Sequence, residues 1–297
     1  MTLIVARKSP IVFKTQAIQV QASSEVLRYT PTGNPLSFAE MQQRRQAIKI
    51  DNPEHFELTV ANLGVSVDLQ LKWQGREFQL LVRQDRPDHG DNVLKLLSGY
   101  VPAHELRVPL LTAMTEIAEE LLIETESGWL QGQYQNTWLP TPYAGSLALD
   151  EEKVFRLTSR SGASRPVICR ELNLLERPRA YVHLPSNSLQ LVYQMQLELP
   201  ESAQRLSLLH TDEFLDEESG ELVAQMDYQR PELFLEQSVS LKKLARLELD
   251  GRVPQYSLFR LSLDLIELPR PVPRECIQKM LCRDHICEAL QDKAYRC

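Results

Sequence analysis

The residues best suited to chemistry in this sequence are three closely spaced glutamates, Glu116, Glu119 and Glu120. In an α-helix, residues three and four positions apart share one face, so the three carboxylates would project from one narrow sector. Clustered carboxylates repel one another, and a hard cation such as Mg²⁺, which prefers oxygen ligands, removes this repulsion. The spacing therefore indicates either a divalent-metal site or an ordinary solvated acidic face.

The helix that would carry these glutamates is predicted over residues 110–124. Apolar residues recur three and four positions apart from Leu110 to Leu121, which places an apolar face beside the acidic one. Pro109 stands where a first-turn proline is tolerated, and Gly128 follows as a stop signal. We therefore expect one side of the helix to pack on a sheet while the other presents carboxylates.

The segment 99–123 resembles the Nudix box, whose form is G-x5-E-x7-R-E-U-x-E-E-x-G-U, where U is a bulky aliphatic residue. Gly99 and Glu105 match the first half of the box, and the three glutamates with both aliphatic positions match the second half. The chain is similar to Nudix hydrolases over about residues 56–266, although the specific motif covers only residues 99–123.

This resemblance implies Mg²⁺ or Mn²⁺ as the cofactor and a nucleoside diphosphate linked to another group, such as a sugar or an ADP-ribose type moiety, as the substrate. Glu116, Glu119 and Glu120 are then the metal ligands, and Glu116, Glu120 and Glu105 are the candidate catalytic residues, Glu105 in a supporting role. The metal would lower the pKa of an attacking water, and in-line displacement would split the substrate into two phosphate-bearing products.

Some residues outside the box are also candidates for the site. Arg83 and Arg86 follow a predicted strand and are candidates for binding the substrate phosphates. A second base could come from the segment 210–213, which includes His210, or from the acidic run 216–218. A solvated acidic loop is the alternative interpretation of these two segments.

Three departures from the box leave a second function open. Nine residues separate Glu105 from Thr115 instead of seven, and Thr115 stands where the family has an arginine that orients the glutamates. Arg107 is a candidate substitute for that arginine. Leu122 replaces the box glycine, which predicts that the helix continues towards Gly128. The alternative function is a catalytically inactive Nudix-like module that senses a nucleotide or binds a protein.

The fold class is predicted as α/β, with a Nudix-type mixed sheet sandwiched between helices and with N- and C-terminal extensions. Alternating apolar and polar residues from Val65 to Leu71 indicate a half-buried strand. Further predictions cover the rest of the chain. Strands are predicted at 11–20, 78–82, 93–97 and 189–199, helices at 37–50, 240–249 and 257–266, and a polar loop at 83–92.

Three regions are predicted along the chain. Residues 1–55 form an N-terminal extension, residues 56–268 form the Nudix-like domain with an insertion around 131–179, and residues 269–297 form a Pro-rich linker and a Cys-containing C-terminal helix. The tail contains Cys276, Cys282, His285, Cys287 and Cys297. Their spacing lacks the paired C-x-x-C knuckles of zinc sites, so buried or free thiols are favoured over a metal cluster.

The amino-acid composition of the chain limits the kinds of partner that it is expected to bind. The 297 residues are 43% hydrophobic and 25% charged, as is typical of globular proteins, and their net charge of -7 disfavours binding to a nucleic-acid backbone. No apolar run reaches the roughly 20 residues that cross a bilayer, so no membrane partner is expected and a cytoplasmic location is predicted. The expected partner is a small-molecule nucleotide, and homodimer formation is left open.

Overall fold

A computed structural model describes much of the chain up to residue 268. The described ranges are 2–8, 14–22, 27–52, 55–73, 76–86, 91–145, 147–160, 167–169, 172–173, 178–184, 186–203, 206–215, 222–227, 233–236, 244–246, 256–257 and 265–268. The predicted tail 269–297, with its cysteines, lies outside these ranges, as does the acidic run 216–218.

Two α-helices occur in the described part of the chain. Helix α1 spans Phe38–Arg44 and begins with a capping box, in which Ser37 and Glu40 bond each other's backbone N–H groups. Helix α2 spans Pro109–Glu120 and has its proline in the first turn. A 3₁₀ turn, Ala103–Glu105, precedes α2.

The remaining described elements are strands, in chain order. The first group is β1 Thr2–Lys8, β2 Lys14–Thr15, β3 Ile18–Ala22, β4 Leu27–Pro31, β5 Leu36–Ser37, β6 Phe56–Val60, β7 Asn62–Trp73, β8 Arg76–Arg86, β9 Asp91–Lys95 and β10 Leu97–Tyr100. The second group is β11 Leu121–Thr125, β12 Gly128–Trp129, β13 Gln131–Tyr134, β14 Thr137–Trp138, β15 Val154–Ser159, β16 Val167–Cys169, β17 Leu172–Asn173, β18 Arg179–His183 and β19 Ser188–Glu198. The last group is β20 Leu206–Leu215, β21 Leu222–Asp227, β22 Leu233–Glu236, β23 Leu244–Arg246, β24 Tyr256–Ser257 and β25 Leu265–Leu268.

The central feature of the fold is the parallel pair of β7 and β19, which run side by side from Asn62 opposite Ser188 to Lys72 opposite Glu198. Antiparallel strands β8, β10, β15 and β18 extend this pair into a mixed sheet. Every second residue of β7 from Leu63 to Leu71 is fully buried, which confirms the predicted alternation. The fold therefore combines a mixed sheet with helices, as predicted, and strands dominate it.

Helix α2 lies against β7 and β10, the strands that lead into the box. Its buried residues include Ala113 and Ile117, which join the same hydrophobic core as Val65 and Val67. Leu97 of β10 also belongs to this core. The apolar face predicted for the helix is therefore the face that packs, and the sheet determines its position.

Helix α2 ends four residues earlier than predicted. Its last residue is Glu120, and Leu121 begins strand β11, which pairs with β20 over its whole length. Leu121, Leu122 and Ile123 are all buried, so pairing in a sheet satisfies their backbone and buries their side chains together. The expectation that Leu122 extends the helix towards Gly128 is therefore wrong.

The helix predicted over residues 37–50 is also shorter, because α1 ends at Arg44. The backbone of Arg45 leaves the helical region, and its side chain contacts Tyr100 and the carbonyl oxygen of Ser186 instead. Downstream, the Ile48 N–H donates to the Leu184 carbonyl. Contacts with distant strands thus replace the last helical turns.

Other strand and loop predictions have mixed outcomes. The predicted loop 83–92 is wrong in its described part, because β8 continues to Arg86 and pairs with β9 from Asp91. Predicted strand 189–199 is confirmed by β19. The helix predictions at 240–249 and 257–266 are wrong in their described parts, because those residues belong to β23, β24 and β25. Strand β23 pairs with its chain neighbours β22 and β24, and β25 pairs with the distant β18.

The regions outside the central pair share sheets with it or with one another. Strand β3, in the predicted N-terminal extension, pairs with β6, and β1 pairs with β21. Within residues 131–179, β13 pairs with β15, and β15 joins β19 at the edge of the central pair. Among the residues described, no helix is long and apolar enough to cross a membrane.

Candidate functional site

The box residues lie on one continuous strand–loop–helix–strand unit, formed by β10, the 3₁₀ turn, α2 and β11. Strand β10 pairs with β7, which places Gly99 opposite Val65. Strand β11 pairs with β20 directly after Glu120. Both ends of the helix are thus attached to sheets, so the glutamate face is held by rigid elements.

Gly99 and Glu116 are in close contact. A Cβ atom built on Gly99 would lie 1.8 Å from Oε1 of Glu116, far inside van der Waals contact. Only glycine leaves room for the carboxylate at this position, since any side chain would displace it. Gly99 and Glu116, which the resemblance to the Nudix box had assigned to one motif, therefore meet in space.

Glu119 and Glu120 lie at the end of α2, and both are half-buried. The Oε2 atom of Glu120 is buried from solvent. Tyr143, which is fully buried, donates a hydrogen bond from its hydroxyl to the backbone carbonyl of Glu119. This contact satisfies one of the last carbonyls of the helix and anchors the turn that carries both glutamates.

Glu105 is bonded to the first turns of the same helix. Its Oε2 accepts a hydrogen bond of 2.6 Å from the hydroxyl of Thr112, a residue only 3% exposed. Its Oε1 lies 3.5 Å from Nε2 of His104. The carboxylate of Glu105 thus braces the loop against α2, and its supporting catalytic role stays a prediction.

Thr115 does not reach the glutamates. Its hydroxyl donates to the carbonyl of Leu111 at 3.0 Å, one turn back along the helix. Arg107, proposed as a substitute for the missing arginine, is exposed and lines a surface pocket. The structure therefore places Gly99 against Glu116 and Glu105 against Thr112 of the same helix, while the Thr115 hydroxyl bonds back along that helix.

A divalent cation matches the donor set of this face in chemistry. Mg²⁺ prefers carboxylate oxygens as ligands, and the carboxylates of Glu116, Glu119 and Glu120 lie on adjacent turns of α2. As the side chains stand, no three His, Cys, Asp or Glu residues in the described ranges are grouped closely enough to bind a metal ion. The case for a metal thus rests on residue types and on shared position along one helix.

The other predicted site residues are placed by their backbones alone. Arg83 and Arg86 lie in β8, opposite Leu94 and Asp91 of β9, and their side chains are outside the described part. His210 lies in β20 directly opposite Leu121, the residue after Glu120. The backbone register thus places the segment 210–213 next to the end of the glutamate helix.

Glu124, on β11 beyond the helix, has a perturbed carboxyl group. Burial raises the pKa of this carboxyl above its ordinary value of 4.5, because desolvation penalises the charged form. Its backbone pairs with Trp129 and with Ser207. An elevated carboxyl pKa occurs in active sites and in ordinary half-buried glutamates alike, so it does not by itself add Glu124 to the candidate site.

Several supporting contacts were not predicted from the sequence. The hydroxyl of Thr15 donates to the carbonyl of Val101, and that of Tyr29 to the carbonyl of Leu106, at 3.3 and 2.9 Å. These bonds join the N-terminal strands to the box loop across long sequence separations. Only Thr112, one turn into the helix and seven residues after Glu105, is near enough in sequence to have been anticipated.

Comparison with known proteins finds no family model that matches this chain and no characterised protein with significant sequence similarity to it. The function of this chain is therefore inferred from the geometry and chemistry of the box residues.

Proposed function

We propose that this chain is a Mg²⁺-dependent hydrolase with a Nudix-type fold, which cleaves the diphosphate of a nucleoside diphosphate linked to another group. The observation that carries the proposal is the contact between Gly99 and Glu116, because a side chain on Gly99 would displace the carboxylate. A glycine that only allowed a strand to approach a helix would be found in many folds and would not indicate a site. A glycine required by one of three aligned glutamates supports a site built around them.

In this proposal the carboxylates have different roles. Glu119 and Glu120 would hold the cation, with Glu116 as a further ligand or as the base that accepts a proton from water. Glu105 acts as a positioning residue through Thr112. Mg²⁺, when bound, would neutralise charge on the diphosphate and acidify the attacking water. Water adds at one phosphorus, the bridging P–O bond breaks, and two phosphate-bearing products leave.

Hydrolysis tests this proposal directly. The protein would be incubated with Mg²⁺ or Mn²⁺ and ADP-ribose, nucleotide sugars or dinucleoside polyphosphates, and the products would be separated by chromatography. We expect Glu119→Gln and Glu120→Gln each to lower turnover roughly 100-fold or more, since each removes a charge at the reacting centre. Glu151→Gln, an exposed carboxylate in a turn, is the matched control and should retain full turnover.

A second function is favoured by one specific contact. Because the Thr115 hydroxyl bonds back to Leu111, nothing at this position orients the glutamates as an arginine would. A nucleotide-sensing or protein-interaction module would bind without cleaving. Absence of turnover with every compound, together with a ligand-dependent rise in melting temperature, would replace the hydrolase by the sensor. Equal turnover by the wild type and both glutamine variants would remove the glutamates from the mechanism.

A further inference from the structure

A second candidate site borders the 3₁₀ turn and the loop that precedes α2. It is a pocket of about 250 Å³ between the N-terminal strands and the loop that precedes α2. The N-terminal side contributes Gln16 and Pro31, and the loop contributes Ala103, His104 and Arg107. The function proposed above does not use this pocket.

Among the residues that line the pocket, Arg107 carries a permanent positive charge. His104 also lines the pocket, and no acidic residue does. The His104 side chain is 80% exposed, and its Nε2 atom lies 3.5 Å from Oε1 of Glu105, which belongs to the neighbouring contact with Thr112. In a chain with a net charge of -7, a cleft whose lining includes an arginine and no acidic residue would attract anions locally.

The walls of the pocket are held by hydrogen bonds that join distant parts of the chain. The side-chain amide of Gln16, which is buried, donates to the carbonyls of Thr32 and Gly33 at 3.0 and 2.9 Å. The Tyr29 hydroxyl fixes the loop through the carbonyl of Leu106. A preformed cleft binds a ligand at a lower entropic cost than one that must be ordered first.

We propose that this pocket binds the phosphate group of a small molecule. Arginine recognises phosphate through two parallel N–H···O bonds, and a pocket of this size holds one phosphate with a small organic substituent. The apolar walls formed by Pro31 and Leu106 would contact that substituent. The site is separate from the glutamate face, so occupancy would not require the metal.

Titration calorimetry of the full chain with inorganic phosphate, pyrophosphate and AMP tests the proposal, with EDTA present to exclude metal-dependent binding. We expect saturable binding of at least one probe. Arg107→Gln should weaken it roughly ten-fold or more, because a charge-assisted hydrogen bond is lost. Ala103→Phe, which fills the cleft, should weaken it as well. Arg156→Gln, an exposed strand position on another sheet, makes the same charge change and should leave binding unchanged.

The outcomes separate this site from the proposed hydrolase. Binding that persists in Glu120→Gln and is lost in Arg107→Gln supports the pocket, whether or not the protein hydrolyses any compound. No binding of the three probes, binding insensitive to both pocket variants, or equal weakening by Arg156→Gln would overturn it. Loss of binding in Glu120→Gln alone would also overturn it, since the phosphate would then occupy the glutamate site.

Discussion

At the scale of single residues, the structure gives a physical reason for the glycine of the motif, Gly99. Glycine in a strand normally costs stability, because it loses more backbone freedom on folding than other residues. Here the carboxylate of Glu116 occupies the space that a side chain would fill. The matching positions in the sequence indicated that both residues belong to one box, and the structure adds the contact that connects them.

Replacing Gly99 by alanine should displace the Glu116 carboxylate and destabilise the protein by about 1 kcal/mol, at the low end of overpacking, because the atoms met are the flexible end of that side chain. Gly145→Ala is the matched control, because an added Cβ at Gly145 meets nothing within 4 Å. Urea unfolding would measure both variants. In a Glu116→Ala background the cost of Gly99→Ala should shrink, since the clashing atoms are gone. Equal effects of the two glycine replacements would contradict this account of Gly99.

The half-buried carboxyl of Glu124 makes a prediction about pH. Burial raises its folded-state pKa above the unfolded value near 4.5, so the folded state binds a proton more tightly than the unfolded state. This contribution to stability is greatest where the carboxyl is protonated, and it is lost as pH rises through the folded pKa. Glu124→Gln should remove this loss and raise the free energy of unfolding at neutral pH.

Urea unfolding of the wild type and Glu124→Gln across the acid-to-neutral range would measure the difference. The two profiles should converge at acid pH, where the Glu124 carboxyl is protonated, and diverge as pH rises. A Glu124→Gln profile that runs parallel to the wild type would contradict the raised pKa.

At the scale of elements, the strands of the central sheet are joined by a buried ion pair. Arg160, just after β15, lies 2.7 Å from Oδ2 of Asp68 in β7, with the two side chains 20% and 7% exposed. The Arg160 guanidinium also donates to the carbonyls of Asp68 and of Met195 in β19, and the Gln194 amide donates to the same carboxylate. One arginine thus links three neighbouring strands.

Asp68→Asn should lower the free energy of unfolding by about 3 kcal/mol, because it leaves the arginine without its buried counter-charge. Asp150→Asn breaks the ion pair with Lys153 on the surface and should change stability little. Thermal and urea unfolding would compare the two variants. If both variants lose equally little, the ion pair does not hold the strands together.

At the scale of the whole molecule, the N-terminal strands are part of the support of the box loop. Ile18, Val20, Leu27 and Tyr29 belong to the same buried core as the residues of β7. Tyr29 and Thr15 also donate to the backbone of the loop that precedes α2. The segment predicted as an N-terminal extension therefore shares a core and hydrogen bonds with the candidate site.

Removal of residues 1–50 should consequently abolish cooperative unfolding, because it uncovers that core. The milder change Tyr29→Phe should cost about 1–3 kcal/mol, since it leaves the buried Leu106 carbonyl unsatisfied. Circular dichroism during heating would follow both. A truncated chain that unfolds in a single sharp transition near the wild-type temperature would contradict this dependence.

The sequence pattern alone was sufficient to predict those elements whose pattern lies within one continuous segment. The alternation in β7 and the apolar run of β19 predicted two central strands, because the period of a half-buried strand is visible in consecutive residues. The start of α2 at Pro109 and the meeting of Gly99, Glu105 and the three glutamates on one unit followed from spacing within a short stretch.

Tertiary structure alone decided what depends on partners distant in the chain. Helix α2 ends at Glu120 because Leu121 pairs with His210, and α1 ends early because Arg45 contacts Tyr100. Glu119 is anchored by Tyr143, a residue beyond the next four strands. Such contacts depend on which strands are neighbours in the sheet, and the sequence close to each residue does not determine that pairing.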